Sequence, residues 1–296
     1  MISTLIIAKG NPPYLFETID SVKQLADEII VVDIGLSADV SNKLQKMGVR
    51  VKKIGENVPY VEQIRERTKS FAKNKYILFL DPDEIIQPTL SKKLSEVYMQ
   101  YDYISIPRKN IIFGKWIQHA KWWPDYQTRL FKKDQATWPT KIHKQPHLTG
   151  NGLTLKSEEQ NAITHHNYKN IDEYFSKMVR YAKSEAHFMT ENKQMFSLHE
   201  ALVKGIGEFI SRFFASDGYK DGMHGFVLSF LQMMYYPLVY FYVWEEKKHE
   251  SHDDVVEESH FFFKQGLFET THWLTKKQLK KLNALKTKLQ SFITKP

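Results

Sequence analysis

The stretch Tyr76-Ile77-Leu78-Phe79-Leu80-Asp81-Pro82-Asp83-Glu84 decides how this chain is read. An apolar run with the character of a buried strand stops at three carboxylates, and Pro82 blocks its continuation. Negative charge is costly there unless something uses it. Ligands of open α/β sheets bind beyond the carboxyl ends of parallel strands, and acids gathered at that edge hold a hard divalent cation that grips phosphate oxygens. An isolated Asp-X-Asp fits a solvated turn equally well, so the surroundings must decide.

Upstream, the chain alternates strand and helix. Thr4 to Lys9 is an apolar strand, Asn11-Pro12-Pro13 supplies a cap and a first-turn proline, and Leu15, Phe16, Ile19, Val22 and Leu25 form a helical stripe. Glu28 to Asp33 is the second strand, Ser41 to Met47 a short helix, and Val49 to Ile54 the third strand. Val61, Ile64, Thr68, Phe71 and Ala72 share one side of a further helix, and the fourth strand carries the acids. This βαβ succession predicts an α/β fold with a parallel sheet and right-handed crossovers. Strand two also ends in an acid, Asp33, so two strands deliver carboxylates to one rim.

With these residues in place, the chain resembles the inverting family 2 glycosyltransferases of the GT-A fold, a Rossmann-like mixed sheet. The resemblance rests on Ile6-Ile7-Ala8-Lys9, on Glu28 through Asp39 and on Leu80 through Glu84. It continues through Pro107-Arg108-Lys109-Asn110, Trp123-Pro124-Asp125, Thr128-Arg129-Leu130-Phe131, His143, His165 and Asp221-Gly222, covering about the first 245 residues. It looks most like the branch that adds glucose to the inner core of lipopolysaccharide or lipooligosaccharide.

The resemblance implies Mg²⁺ or Mn²⁺ as cofactor, held by Asp81, Asp83 and His165. It implies donor and acceptor contacts from Ala8, Lys9, Asp33, Arg65, Asp81, Arg129 and His143, with Asp33 on the uridine. Such a metal stabilises charge on the departing nucleotide. Asp125 stands where the branch resembles the acidic base motif of other family 2 enzymes; the other reading makes it a turn residue after Pro124, paired with Arg129. The chain departs from the pattern at Gly10-Asn11, at Glu66 beside Arg65, and at Lys144 beside His143, where relatives carry an acid.

Composition fits without identifying anything. The 296 residues are 42% hydrophobic and 14% aromatic, enough for one large core with an accessory region, and the absence of cysteine excludes disulfides and cysteine-ligated zinc. Met1 runs directly into the first strand, so no signal peptide is expected and the nucleotide sugar is met in the cytosol. The net charge of +8 comes without a finger, RNP or recognition motif, which argues against nucleic acid. From Thr270 to Pro296 there are seven lysines and no acid, with Leu279, Leu282, Leu285, Leu289 and Phe292 at helical spacing. Such a helix lies on an anionic inner-leaflet surface or packs on the protein with a solvated lysine face.

Met223 to Trp244 has no charged side chain and is long enough to span a bilayer, but Pro237 and the mid-segment tyrosines argue for helices beside the acceptor site that touch the inner leaflet. A soluble helical subdomain is the other reading. The expected organisation is a GT-A domain over 1–167, its nucleotide half ending near 105. A helical appendage over 168–248 follows, then a His- and Asp-rich linker with the basic helix over 249–296. Trp116, Trp122 and Trp123 stack on a sugar or belong to the core. The function expected is transfer of hexose from UDP-hexose to a glycolipid or core-oligosaccharide acceptor, peripheral to the cytoplasmic membrane. A non-catalytic carbohydrate binder and a sugar-phosphate nucleotidyltransferase are the alternatives.

Overall fold

A computed structural model describes residues 1–56, 58, 61–139, 146–250 and 254–293, with 277–293 as backbone only. The strands are β1 (Ile2–Gly10), β2 (Glu28–Leu36), β3 (Arg50–Lys53), β4 (Tyr76–Leu80), β5 (Glu84–Ile86), β6 (Tyr103–Ile112), β7 (Lys115–Trp116), β8 (Asp125–Lys132), β9 (Ala136–Thr137), β10 (His147–Leu148), β11 (Gly152–Thr154) and β12 (Ile163–Tyr168). The helices are α1 (Leu15–Val22), α2 (Ala38–Lys46), α3 (Glu62–Thr68), α4 (Pro88–Val97), α5 (Ile171–Glu191), α6 (Leu198–Phe209), α7 (Met223–Met233), α8 (Tyr235–Glu246) and α9 (Val255–Ile293).

The chain divides into two compact units. One comprises Met1–Trp116 and Trp122–Lys169, the other Ile117–Lys121 and Asn170–Pro296. In the first, a mixed sheet runs in the order β3-β2-β1-β4-β8-β6-β12-β5. The half from β3 to β4 is parallel, as the βαβ alternation requires; β8 then runs antiparallel to both β4 and β6. Its two faces bury separate apolar layers. Leu15, Ile19 and Val22 of α1 pack with Ile6 and Leu78 on one face, while Ile64 of α3 joins Leu5, Val32 and Phe79 on the other. Strand alternation sends neighbouring residues of β1 and β4 to opposite layers, which is why these strands read as continuous apolar runs.

Two local expectations are corrected. Helix α1 is not capped by Asn11; Tyr14 occupies that position, offers no side-chain cap, and stacks its ring on His166 at 4.0 Å. Helix α2 starts three residues earlier than Ser41 because the Ser37 hydroxyl accepts from the Val40 amide.

The second unit is helical. Ala182, Ala186, Ala201, Val239 and Val243 bring α5, α6 and α8 together. Small residues permit the close approach: a Cβ on Gly205 of α6 would lie 2.7 Å from the Met233 carbonyl oxygen. The segment read as a linker becomes helix at Val255, with Asp254 Oδ1 accepting from the Val256 and Glu257 amides at 3.0 Å each. Asp254 is therefore a helix cap; His252 and Asp253 lie outside the described residues.

Candidate active site

The carboxyl ends of β1, β2 and β4 meet at one edge of the sheet. Ala8 of β1 pairs in register with Asp33 of β2, and Ile6 with Leu80, the residue before Asp81. Asp33 is buried, and its Oδ1 accepts from the Gly35 and Leu36 amides at 2.8 and 2.7 Å. This shapes the turn, and Gly35, at φ 115°, supplies a backbone conformation that a side chain would strain. Asp33 Oδ2 takes no part in the turn. Lys9 is exposed beside Gly35.

Asp81 leaves β4 into a cluster of arginines. Arg65 Nη2 lies 3.1 Å from its Oδ1, Arg129 Nη2 2.5 Å from its Oδ2, and Arg108 Nη1 3.9 Å from its Oδ2. Burial opposes ionisation of Asp81, but Arg129, Arg65 and Arg108 overcome it and hold the carboxyl far below the usual carboxylate range. Glu84, fully buried, completes the cluster: its Oε1 accepts from Arg129 at 2.5 Å and Arg108 at 3.2 Å, and its Oε2 from the Asp81 amide at 3.0 Å. Arg129 reaches this position from a β-bulge. Leu130 pairs with Ile104 and Thr128 with Ser105, which leaves Arg129 as the extra residue whose side chain the bulge re-aims.

Across the sheet the register assembles the rest. His165 of β12 lies opposite Glu84 of β5 and Asn110 of β6, and Arg108 of β6 lies opposite Asp125 of β8. Asn110 is buried and couples two groups. Its Nδ2 donates to the Trp122 carbonyl at 3.0 Å and to Asp125 Oδ2 at 3.1 Å, while its Oδ1 lies 2.6 Å from His165 Nδ1. Both amide protons are thus committed, so Oδ1 is the acceptor and His165 Nδ1–H the donor. A neutral His165 then turns its Nε2 lone pair toward Asp83 Oδ1, 3.6 Å away. A nitrogen and an oxygen donor of the kind that divalent ions take thus stand side by side.

The oxygen and nitrogen donors of Asp83 and His165 therefore fit a divalent ion that takes its other ligands from phosphate and water. Asp81 does not join them, because both its oxygens face arginines. Among the described residues no group of three acidic or histidine side chains has metal-holding geometry.

Asp125 accepts from Arg108 Nε and Nη2 at 2.9 and 2.6 Å, from Asn110, and on Oδ1 from Gln127 at 3.0 Å. Burial would raise its pKa, but the charge of Arg108 and these hydrogen bonds overcome that and hold the carboxyl below the usual carboxylate range. Its ion-pair partner is Arg108, not Arg129 as the turn reading supposed.

Residues 3–147 match the profile described as Glycosyl transferase family 2. The chain is accordingly an enzyme of the glycosyltransferase class, with a mixed α/β sheet followed by C-terminal helices. It is 24% identical over 244 residues to an uncharacterized glycosyltransferase of Rickettsia conorii, covering 78% of this chain and 85% of that one. To an uncharacterized glycosyltransferase of Rickettsia prowazekii it is 25% identical over 241 residues, covering 78% and 82%. Among solved structures it resembles S. aureus TarS 1–349 in complex with UDP-GlcNAc, at 13% identity and a TM-score of 0.45, over 86% of this chain and 93% of that one.

Ala8, Lys9, Asp33, Arg65, Asp81, Asp83, Asp125, Arg129 and His165 thus gather along one sheet edge, His165 lying beyond the matched residues 3–147; His143 lies outside the described residues. Glu84, Arg108 and Asn110 belong to the same site and were not selected from sequence. A signal existed: Ile104, Ile106, Arg108 and Asn110 occupy alternate positions of one strand, so its inward face turns from apolar to polar midway. The tryptophans pack on protein rings, Trp116 against Trp123 at 5.2 Å and Trp122 against Tyr168 at 6.4 Å. Glu66 accepts from the Trp138 amide at 2.8 Å and pairs with Lys69.

The pairing of Arg108 with Asp125 carries a pH prediction. A carboxylate acts as base only above its pKa, and Arg108 lowers that pKa. Arg108→Gln leaves burial unopposed by the guanidinium, the pKa of Asp125 rises, and the acid limb of kcat/KM against pH moves to higher pH. An unmoved acid limb in this variant shows that Asp125 does not govern it.

Proposed function

We propose that this enzyme moves a hexose, glucose from UDP-glucose, to a hydroxyl of a lipopolysaccharide-type or related cell-surface glycan, with inversion and with help from Mg²⁺ or Mn²⁺. The observation that carries the reading is Asn110, one buried amide that bonds both His165, whose Nε2 faces Asp83, and Asp125. Leaving-group chemistry and acceptor activation require these two functions in one fixed geometry.

Asp33, with Ala8 and Lys9, receives the nucleoside, its Oδ2 being the oxygen outside the turn. Arg65 receives the diphosphate: burial and the nearby Arg129 lower its pKa despite Asp81, and its buried Nε–H has no acceptor among the described residues. An anion supplies what that guanidinium lacks. A divalent ion held by Asp83 and His165 supplies charge stabilisation to the leaving diphosphate when bound. Asp125 takes the acceptor hydroxyl proton on Oδ1 while the acceptor oxygen bonds to the anomeric carbon. The anomeric carbon–phosphate oxygen bond breaks, and its electron pair leaves with UDP. Arg108, Asn110 and Gln127 hold the carboxylate in place.

Thermal-shift titration with nucleotide sugars, with and without Mn²⁺, tests this. The expected result is metal-dependent stabilisation by UDP-sugars, strongest for UDP-glucose, and loss of the metal-dependent part in Asp83→Ala with the fold intact. No response to any UDP species overturns the reading.

A further inference from the structure

Helices of soluble proteins turn polar residues outward; α7 and α8 do the reverse. From Met223 to Trp244 every exposed residue is Met, Phe or Trp: Met223, Phe226, Phe230, Met234, Phe241 and Trp244. Their spacing follows successive helical turns, so they form one outward ridge. The opposite side is already used, since Leu228, Ser229, Val239, Tyr240 and Val243 are buried. Aromatic rings extend the ridge onto the end of α6 and the turn after it. Phe226 lies 5.7 Å from Phe213 and 6.0 Å from Phe209, and Phe213 lies 5.1 Å from Phe214.

We propose that this ridge docks the enzyme in the interface of an anionic lipid bilayer, with α7 and α8 lying along the surface. Three observations select that occupant. The ridge presents no side-chain hydrogen-bond donor or acceptor except the Trp244 indole, whereas a protein partner needs about one hydrogen bond per 100–200 Å² of contact. Hydrocarbon needs none, and Trp and Phe favour that boundary.

Next, Met223–Glu246 is long and apolar enough to cross a membrane, yet its neighbours forbid it. On α5, Glu185 accepts from the Tyr235 hydroxyl at 2.5 Å and Lys183 lies 5.1 Å from the Tyr242 ring; on α6, Lys204 lies 5.6 Å from Tyr236. Spanning would carry these charges into hydrocarbon, while lying flat leaves them at the headgroups. Finally, the composition of this unit suits phosphate: its residues 270–296 hold seven lysines without an acid. The proposal stands without the donor assignment.

The test is flotation of the full chain with vesicles of phosphatidylcholine alone or mixed with phosphatidylglycerol, paired with quenching of tryptophan fluorescence by lipids brominated in the acyl chain. The wild type is expected to float with the anionic vesicles and to be quenched. Met223→Glu with Phe241→Glu, at side chains 73% and 51% exposed, is expected to keep the thermal midpoint and lose roughly tenfold or more in vesicle partition. Flotation of the double variant equal to wild type overturns the proposal, as does an unquenched wild type, a readout that needs no variant. A wild-type dimer that the substitutions convert to monomer, with no vesicle binding, also overturns it and makes the ridge a contact between copies.

Discussion

Asp125→Asn is expected to bind UDP-sugar as tightly as wild type and to lose transfer by about 10²–10⁴-fold in kcat. The amide keeps the shape: its single oxygen can still accept from Arg108 and Asn110, while its NH2 takes the place of Oδ1 and is met by Gln127 once that side-chain amide turns its oxygen inward, so the strands on either side are undisturbed. It cannot take a proton from the acceptor hydroxyl. Donor affinity by calorimetry and turnover by UDP release separate the two effects in one preparation. Near-normal turnover moves the base elsewhere and leaves Asp125 as an anchor for Arg108, the guanidinium that also reaches Glu84 at 3.2 Å. The depressed pKa of Asp125 does not disqualify it. It keeps the carboxylate ionised through the neutral range, and the desolvated acceptor gives up its proton as the bond to the anomeric carbon forms.

The parallel half of the sheet was legible in the sequence because each strand there is covered on both faces. Residues such as Leu5, Ile6, Ile7 and Ala8 must all be apolar when their neighbours in β2 and β4 sandwich them, and the helices between carry one-sided stripes. The antiparallel half was not. β5 has only three residues, β12 reads Ile-Thr-His-His-Asn-Tyr, and β6 turns polar at Arg108, so no run announces them. The site had the same asymmetry. Asp33, Asp81 and Asp83 stand at ends of legible elements, whereas Glu84, Asn110 and His165 come together through the register of short strands distant in sequence. A one-residue slip in β12 would exchange His165 for His166, whose ring instead stacks on Tyr14. The arginine surroundings of Asp81 were illegible for a related reason. Its arginine partners come from α3, β6 and a bulge in β8, and no spacing in the sequence reports a bulge.

That bulge makes Arg129 the residue whose loss costs most in stability. Arg129→Met is expected to destabilise the domain by about 3–5 kcal/mol, because the variant leaves Glu84 in a fully buried position with only Arg108 at 3.2 Å to balance it. For a chain of this size that corresponds to a fall of roughly 10 °C in the thermal midpoint. Arg129 is itself almost fully buried, and Asp81 and Glu84 outweigh the burial that opposes its charge, so its pKa is raised. A guanidinium so committed has little left to offer a diphosphate. Arg65 differs: among the described residues Asp81, at 3.1 Å, is its guanidinium's one ion-pair partner, and Arg65→Met is expected to weaken donor binding with a smaller loss of stability. The pair of variants separates the two roles that sequence resemblance merged. Intact stability in Arg129→Met with weakened UDP binding would return Arg129 to the donor site.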